Sequence, residues 1–158
     1  MVARLIAVDY ETCTGCRTCE VVCSLYHFGE CNPRKSAIRV IRKEQDGLPF
    51  CLPLVCQQCE PAPCIDACAT GALWREQAGD TLTIDEEKCN ACGSCVDSCP
   101  ASCISINDET NVPIVCDLCG SQPQCVAFCH SGCLTHVYRD DVTEKHKIER
   151  LAGILDRE

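Results

Sequence analysis

One cysteine-rich stretch near the middle of the chain carries the clearest chemistry. Cys89, Cys92, Cys95 and Cys99 follow one another at the spacing C-x2-C-x2-C-x3-C, and Pro100 comes next. Three thiolates in a tight loop can wrap three corners of one iron–sulfur cube, whereas a fourth on a turn of helix points away from it. Thiolates at this spacing are typical ligands of 4Fe–4S clusters, in which the fourth cysteine serves a second cluster. The stretch therefore predicts two neighbouring clusters.

Three further segments repeat this pattern of four cysteines. They span residues 13–23, 56–68 and 116–129, and in each the last two cysteines are separated by three residues. Four motifs of four thiols predict four 4Fe–4S clusters. The predicted ligands are Cys13, Cys16, Cys19, Cys23, Cys56, Cys59, Cys64, Cys68, Cys89, Cys92, Cys95, Cys99, Cys116, Cys119, Cys125 and Cys129.

Because one thiol of each motif serves a neighbouring cluster, the motifs must work in pairs, and two pairings are open. In a nested arrangement the inner motifs pair across the 20 residues between Cys68 and Cys89, and the outer motifs pair around them. A tandem arrangement pairs the first motif with the second and the third with the fourth. It requires connections of 32 residues before Cys56 and 16 residues after Cys99, so we favour the nested arrangement.

Disulfides and zinc are the rival explanations of 20 cysteines in 158 residues. The first eight residues are short for a secretory signal and include Arg4. We therefore expect a cytoplasmic protein in a reducing compartment, where disulfides are rare. Zinc sites often use two C-x2-C pairs rather than triplets with a distant fourth thiol. Iron would colour the protein brown, whereas zinc would leave it colourless.

The remaining composition is acidic and poor in aromatic residues. Asp and Glu number 23 against 14 Lys and Arg, for a net charge of −9, and aromatic residues make up 4%. This charge argues against nucleic acid as a partner and favours proteins with basic patches. No apolar run approaches the roughly 20 residues of a transmembrane segment. Because the apolar core is thin, metal binding would supply part of the folding free energy, and the apo chain should be largely unfolded.

Short strands are predicted between the motifs, and the residues at 24–36 are interpreted as a loop. Alternation of apolar and polar residues, with turn residues between, predicts strands at 2–8, 37–42, 71–74, 81–84, 104–106, 112–115 and 134–138. Two prolines make 48–55 an edge strand at best. Apolar residues at helical spacing predict a C-terminal helix over 141–158, packed on the body. Docking onto a partner and disorder are the alternatives for this tail.

The residues that follow the last cysteine of each motif also repeat. A turn, a small residue and an apolar strand follow the second, third and fourth motifs. Cys103 and Cys133 take the place that Ala72 takes after the second motif, so we expect them to be buried as small apolar residues. His27 stands at the corresponding place after the first motif.

Four residues outside the motifs have simple structural interpretations. Cys31 lies in a polar loop and is a candidate for an exposed, oxidisable thiol, although a structural role is the simpler explanation, and Trp74 is expected in the core. Cys51 is the remaining unassigned cysteine, and a fifth metal site is not expected. His130 follows a predicted ligand and is a candidate for tuning its cluster, although an incidental position is the simpler explanation.

With these motifs the chain resembles the four-cluster iron–sulfur subunits of multi-subunit oxidoreductases. Examples are the electron-transfer subunits of dimethyl sulfoxide reductase, formate dehydrogenase, carbon monoxide dehydrogenase and tungsten aldehyde oxidoreductase. The resemblance covers about residues 5–138 and rests on CTGCRTCEVVC, CQQCEPAPCIDAC, CNACGSCVDSCP and CDLCGSQPQCVAFC. It implies an α+β fold of two nested bacterial-ferredoxin-like modules within residues 1–140, followed by a helical tail at 141–158.

The resemblance also implies which thiols share a cluster, and we label the ligand sets A to D. The outer module, from motifs 13–23 and 116–129, would hold site A with Cys13, Cys16, Cys19 and Cys129, and site B with Cys23, Cys116, Cys119 and Cys125. The inner module, from motifs 56–68 and 89–99, would hold site C with Cys56, Cys59, Cys64 and Cys99, and site D with Cys68, Cys89, Cys92 and Cys95. Proline often follows the fourth cysteine in this family, yet Ala69 and His130 stand there, which should loosen the turn without altering ligation.

The resemblance implies electron relay rather than catalysis. Single electrons would pass between a catalytic subunit, best matched by a tungsten- or molybdenum-pterin aldehyde oxidoreductase, and a further redox subunit or ferredoxin-like acceptor. The alternatives are service to a carbon monoxide dehydrogenase, hydrogenase or formate dehydrogenase, or a redox- or oxygen-sensing role. The sequence carries no recognisable nucleotide loop or nucleophile motif, so we expect no specific turnover by the chain alone. A linear array of clusters also permits end-to-end self-association.

Overall fold

Four two-stranded antiparallel sheets frame the cysteine motifs in the computed structural model, which describes residues 3–45 and 48–142. The strands are β1 (Arg4–Val8), β2 (Arg39–Gln45), β3 (Leu48–Leu54), β4 (Leu73–Trp74), β5 (Thr83–Ile84), β6 (Ser105–Ile106), β7 (Pro113–Ile114) and β8 (Leu134–Tyr138). The helices are α1 (Thr18–Phe28), α2 (Pro63–Asp66), α3 (Ser94–Asp97), α4 (Leu118–Ser121) and α5 (Gln124–Ala127), with a 3₁₀ turn at Pro33–Lys35. This arrangement confirms the expected mixture of short strands and short helices.

The first and last strands of the described chain pair with each other. β1 runs antiparallel to β8, with Leu5 opposite Val137 and Val8 opposite Leu134. Leu5, Ile6 and Leu134 are buried, so the pair contributes apolar surface to the core. Since the first motif follows β1 and the fourth precedes β8, the pairing brings these two motifs side by side, where α1 packs against α5.

The strands β2 and β3 form the longest hairpin. Arg39 lies opposite Leu54, and the register continues to the pair of Gln45 and Leu48. Proline lacks the N–H that a central strand must donate, but each strand of a two-stranded sheet has a free edge. The interpretation of 48–55 as an edge strand is therefore confirmed, and β2 begins two residues later than predicted.

Two short strand pairs follow the second and third motifs. In β4 and β5, Leu73 pairs with Ile84, and in β6 and β7, Ser105 pairs with Ile114. Leu73 and Ile114 are buried and hold the pairs against the core. The strands predicted at 71–74, 81–84, 104–106 and 112–115 are confirmed, although each is shortened to two residues.

Each motif places its third cysteine near the start of a helix. These cysteines are Cys19 in α1, Cys64 in α2, Cys95 in α3 and Cys125 in α5. Three of these helices have four residues, but α1 has eleven. Gly29 follows its last residue, and the Gly29 N–H donates to the Leu25 carbonyl at 3.0 Å. The predicted loop at 24–36 is therefore wrong for residues 24–28, because the left-handed glycine that ends the helix stands beyond them.

The chain makes the same turn after the last cysteine of the second, third and fourth motifs. Three residues on, the backbone is left-handed at Gly71 (φ 64°), Ser102 (φ 48°) and Gly132 (φ 69°). In each turn this residue donates its N–H to the carbonyl of the cysteine, at 3.1 Å. The turn directs the next side chain inward, where Ala72 and its two counterparts are buried.

Cysteines make up much of both hydrophobic cores. The first core has 13 buried residues, of which five are cysteines, and includes residues of β1, α1, β2, α5 and β8. The second has eight buried residues, of which four are cysteines, and surrounds the second and third motifs. Cys116 packs against both cores and joins them.

A buried glutamine ties the second motif to the fourth. Gln58 is 1% exposed, and its Nε2 donates to the Cys116 carbonyl at 2.8 Å. Arg75 donates to Gln58 Oε1 at 3.2 Å, and Arg139 donates to the backbone carbonyls of Gln57 and Gln58. Every polar group of this amide side chain faces a partner, so the junction between the two cores is fixed by hydrogen bonds as well as by packing.

The predicted C-terminal helix lies mostly outside the described residues. The backbone at 139–142 is helical and follows β8 directly. Its first N–H, from Arg139, donates to the Ala3 carbonyl at 2.9 Å. The prediction for residues 143–158 falls outside the described ranges.

Candidate metal centres

The thiols of site B surround one cavity. Cys23, Cys116, Cys119 and Cys125 line it, and its apolar walls include Ile38 and Val55. Burial raises the pKa of Cys125 to about 12, and the neighbouring Cys23 and Cys119 thiols contribute to the rise. The structure thus brings together one thiol of the first motif and three of the fourth.

The thiols of site C line a second cavity. These thiols are Cys56, Cys59, Cys64 and Cys99. Burial raises the pKa of Cys64 to about 11, and the Cys56 and Cys99 thiols add to the rise because a negative charge on either opposes ionisation. Three thiols of the second motif therefore meet the last thiol of the third.

The thiols of site D line a third cavity with apolar walls. These thiols are Cys68, Cys89, Cys92 and Cys95. Burial raises the pKa of Cys95, with contributions from the Cys89 and Cys92 thiols. A hydrogen bond with the Ser94 hydroxyl lowers the pKa of Cys92, and the neighbouring Cys68 thiol opposes this shift.

The thiols of site A come together between the first and fourth motifs. Burial raises the pKa of Cys19 to about 12, and Cys16 and Cys129 contribute as neighbouring thiols. Cys13 and Cys129 in turn both interact with the buried thiol of Cys133. Cys16 is exposed, as Cys92 is in site D, so both of these sites open to solvent at a predicted ligand.

Thiols of successive sites also lie close to one another. Burial raises the pKa of Cys125 in site B, and Cys19 of site A contributes. Burial likewise holds the pKa of Cys116 in site B well above its usual value, and Cys56 of site C contributes. The sites are therefore neighbours in the order A, B, C.

Backbone N–H groups point at several thiols. Ala37, Gln58 and Leu73 each donate to a cysteine sulfur at 3.4 Å, and the acceptors are Cys23, Cys56 and Cys68. Burial raises the pKa of Cys19, Cys64 and Cys125, so these enclosed thiols resist ionisation unless a metal replaces their protons. Soft thiolates in sets of four, with N–H donors at the sulfurs, are the environment of an iron–sulfur cluster. The donor set therefore fits 4Fe–4S chemistry.

Two cysteines outside the motifs contact predicted ligands. Cys103 lies 3.5 Å from Cys99, sulfur to sulfur, and also hydrogen-bonds Cys56, lowering the pKa of Cys56 to about 7. Cys133 lies 3.5 Å from Cys129. Burial of both is confirmed, at 6% and 4% exposure. Their contacts with the ligands were not predicted. The available signal was that both lie four residues after the last cysteine of a motif.

Two histidines lie beside predicted ligands. Nδ1 of His130 is 3.8 Å from Cys16 Sγ, so the histidine considered for tuning does contact a thiol of site A. His27 was not predicted at a site, yet its Nε2 lies 3.6 Å from Cys119 Sγ and 3.4 Å from the Asp117 carboxylate. Its place in the repeat after the first motif was the available signal.

The remaining cysteines and the tryptophan have structural surroundings. Cys31 is exposed, as expected, and Cys51 is buried against Gly15, within the ligand loop of site A. Arg42 donates to the Gly15 carbonyl. The prediction of Trp74 as a core residue is wrong, since it is 41% exposed. Its strand belongs to a two-residue pair, and the alternation that buries Leu73 turns Trp74 outward.

The fold and the grouped thiols define a ferredoxin-like iron–sulfur protein. Residues 48–139 match the family described as the 4Fe-4S dicluster domain. This range contains the motifs at 56–68, 89–99 and 116–129, and the motif at 13–23 precedes it. The chain belongs to this 4Fe–4S dicluster family of ferredoxin-like electron-transfer proteins.

Several relatives are named for electron transfer. The chain is 40% identical over 127 residues to the aliphatic sulfonate oxidoreductase, polyferredoxin-like subunit, of Pyrococcus furiosus, covering 80% of this chain and 72% of that one. It is 29% identical to the thiosulfate reductase electron transfer subunit PhsB of Salmonella typhi, covering 80% and 71%. It is 29% identical to the electron transport protein HydN of Escherichia coli, covering 95% and 93%.

Solved structures share the fold. A chain of the active site complex BamBC of benzoyl coenzyme A reductase with 1,5-dienoyl-CoA superposes with a TM-score of 0.53 at 27% identity, covering 88% of this chain and 78% of that one. The same complex with benzoyl-CoA gives 0.52 at 22% identity, covering 99% of both chains.

The helices of the described chain are short. The longest, α1, has 11 residues, whereas a helix needs about 20 to cross a bilayer. Within residues 3–45 and 48–142, no helix combines the length and the apolar character that a membrane span requires.

Proposed function

We propose that the chain is an electron-transfer subunit that holds four 4Fe–4S clusters at sites A to D. The observation that carries the proposal is the grouping of thiols from separate motifs around the cavities of sites B, C and D. Such clusters supply one-electron chemistry when bound. The electron-transfer names of relatives from Pyrococcus furiosus, Salmonella typhi and Escherichia coli support the role.

We infer the nested pairing from the same contacts. β1 pairs with β8 and α1 packs on α5, which supports a shared outer module, and α2 packs on α3, which supports an inner one. Cys19 of site A lies near Cys125 of site B, and Cys56 of site C lies near Cys116 of site B, since each adds to the rise that burial causes in its neighbour's pKa. This proximity supports a linear order. Site D completes it, because the second and third motifs each contribute thiols to both C and D.

The chain's own residues would hold each cluster and control its surroundings. Thiolates bind the iron, and the apolar walls of the cavities exclude water. The N–H groups of Ala37, Gln58 and Leu73 donate to ligand sulfurs, which favours the more negative, reduced state. The clusters would then accept electrons without large rearrangement of the fold.

A pair of double variants tests the count and the pairing together. Anaerobically prepared wild type should hold about sixteen iron and about sixteen sulfide per chain, as four cubanes require. In the nested arrangement Cys13→Ala with Cys129→Ala removes two ligands of one cluster and leaves about twelve iron. The matched control, Cys13→Ala with Cys68→Ala, disrupts two clusters and leaves about eight.

Each result has a defined meaning. The tandem arrangement reverses the two values, since Cys13 and Cys68 would then share a cluster. A colourless wild type, or one with far less iron than sixteen atoms, would contradict the four-cluster proposal itself.

We further propose that a tungsten- or molybdenum-pterin oxidoreductase subunit exchanges electrons with this chain, and that a second redox subunit or ferredoxin-like acceptor lies at the other end. The relatives named as oxidoreductase subunits support a catalytic partner. Anaerobic co-purification with a tagged chain, followed by metal analysis, should recover tungsten or molybdenum. Nickel instead would indicate a hydrogenase or carbon monoxide dehydrogenase. End-to-end self-association stays a prediction, checked by electron microscopy of the same preparation.

A further inference from the structure

The residue four positions after the last cysteine of each motif, here called the +4 position, differs among the four sites. It is His27, Ala72, Cys103 or Cys133. We propose that the +4 side chain sets the relative reduction potentials of the sites, according to whether it donates a hydrogen bond to a ligand thiolate. The inference rests on the proposed function, because it requires clusters at these sites.

At sites A and C the +4 residue is a buried thiol in contact with ligands. Cys133 Sγ lies 3.5 Å from Cys129 Sγ of site A. Cys103 Sγ lies 3.5 Å from Cys99 Sγ and also hydrogen-bonds Cys56, so it faces two ligands of site C. Once those ligands bind iron as thiolates, the +4 thiol carries the one hydrogen that can lie between the sulfurs.

At site B the +4 residue is a histidine. His27 Nε2 lies 3.6 Å from Cys119 Sγ and 3.4 Å from Asp117 Oδ1. Both neighbours are acceptors, which places a proton on Nε2 and makes the ring an N–H donor. The first motif thus also supplies a donor at the +4 position, although it is not followed by the turn and strand that follow the other three motifs.

At site D the +4 residue has no donor. Ala72 is 1% exposed and occupies the same inward place after its turn. The hydroxyls of Thr70 and Ser131, two residues after the last cysteine, both lie 3.7 Å from that cysteine's sulfur. Because these hydroxyls stand at corresponding places in sites D and A, they cannot account for a difference in reduction potential between the two sites. Ser94 lies 3.4 Å from Cys92, but Cys92 is exposed, where water competes.

The physical consequence follows from charge. Reduction adds negative charge to a cluster and its thiolates, so a buried hydrogen-bond donor at a ligand sulfur stabilises the reduced form and raises the potential. The buried +4 donors therefore raise the potential at sites A and C, the exposed His27 contributes less at site B because water competes there, and Ala72 contributes nothing at site D. Alanine and cysteine are both small enough to fill the +4 position. A purely structural role would therefore predict no difference in potential between them.

Loss and gain of the donor can be tested in the full chain. Cys103→Ala and Cys133→Ala should each lower one of the four midpoint potentials, and Ala72→Cys should raise one. The expected change in the reduction equilibrium is about tenfold, or about 59 mV for a one-electron couple. The readouts are redox titration followed by electron paramagnetic resonance, and iron content, which should stay at the wild-type value.

Two controls separate a donor from a structural role. Cys31→Ala removes an exposed cysteine outside the sites and should shift no potential. Cys103→Ser keeps a donor, so its potential should stay closer to wild type than that of Cys103→Ala.

The outcomes distinguish this inference from the proposed function. Unchanged potentials in the three test variants, with full iron content, would overturn the inference and leave the four-cluster role intact. Loss of iron in Cys103→Ala would also overturn it, in favour of direct ligation. A wild type without four clusters would instead remove the proposed function.

Discussion

At the scale of single residues, the ligand loop of site A depends on a glycine that carries no thiol. Gly15 has a φ of 66°, and a Cβ added there would collide with Cys51 Sγ and lie 3.0 Å from Arg42 Nε. The loop therefore needs both the left-handed backbone and the absent side chain. The buried Cys51 is part of this loop's packing rather than a ligand.

Gly15→Ala should destabilise the protein and lower occupancy of site A. We expect about 1 kcal/mol from the left-handed backbone and about 1–3 kcal/mol more from the collision. Gly29→Ala is the matched control, since Gly29 has a φ of 69° and nothing within 4 Å of an added Cβ. Iron content and thermal unfolding of anaerobic samples measure both, and equal losses in the two variants would disprove the collision.

Gln58→Leu should weaken the junction between the two cores. The change leaves the Cys116 carbonyl and an Arg75 N–H without their amide partner, which costs about 1–3 kcal/mol for buried polar groups. Gln57→Leu changes the exposed neighbour and should cost less. Denaturant unfolding of the cluster-loaded protein compares the two, and an equal cost would show that the buried amide contributes nothing specific.

The spacing of the cysteines was sufficient to predict the sixteen candidate ligands, but not these supporting contacts. The sixteen thiols fall into regular motifs, which is why spacing alone identifies them as candidate ligands. Gln58 and Gly15 act through residues distant in sequence, Cys116 and Cys51, and no local pattern encodes such contacts. His27 and Cys103 stood at repeated places, but their proximity to sulfur depends on how the motifs pack.

At the scale of elements, a single turn connects three motifs to their strands. Gly71, Ser102 and Gly132 all adopt left-handed backbone three residues after a ligand. Two of the three copies use glycine, which accepts this conformation without strain. The serine copy is therefore the strained member of the set.

Exchanging residues within this turn should change stability in opposite directions. Ser102→Gly should raise stability or leave it unchanged, by up to about 1 kcal/mol, because it removes the left-handed strain. Gly132→Ala should lower stability by about 1 kcal/mol from backbone strain alone, since nothing lies within 4 Å of the added Cβ. Thermal unfolding midpoints check both, and a lower midpoint for Ser102→Gly would show that the serine hydroxyl matters more than its backbone.

Elements with local signals were predictable, and elements set by packing were not. The hairpins around Leu73 and Ser105 follow from apolar residues between turn residues. The length of α1 was missed, because its end depends on Gly29, beyond the last ligand of the motif. Trp74 was misplaced because a pair of two-residue strands has too little surface to cover both faces.

At the scale of the whole molecule, the cores consist partly of the metal sites themselves. Predicted ligands are three of the 13 buried residues in the first core (Cys19, Cys23 and Cys125) and three of the eight in the second (Cys56, Cys64 and Cys95). Without metal these thiols contribute only small apolar side chains around cavities. The cluster-free chain therefore lacks much of the interaction that would hold its short strands together.

Removing iron should unfold the chain rather than leave a folded apoprotein. Anaerobic treatment with a chelator and an oxidant should abolish most secondary structure in far-ultraviolet circular dichroism. Reconstitution with iron and sulfide under reducing conditions should restore it. A cluster-free sample with a native spectrum would show that the apolar residues suffice.

The choice between nested and tandem pairing needed information of this larger scale. Motif spacing left both open, since each satisfies the local demand of three thiols and a crossing fourth. The β1–β8 pair and the contact of α1 with α5 join segments more than 90 residues apart. Contacts between segments so far apart produce no local sequence pattern, so the pairing of the motifs could not be predicted from spacing alone.

The partnership of β1 with β8 also has a consequence for biogenesis. A ribosome releases β1 early, but β8 emerges only after nearly all the described chain has been made. Until then the nascent first motif has neither its strand partner nor the cysteines of the fourth. Iron delivery to sites A and B of the outer module would therefore be post-translational. Sites C and D of the inner module could be filled while the polypeptide is still growing.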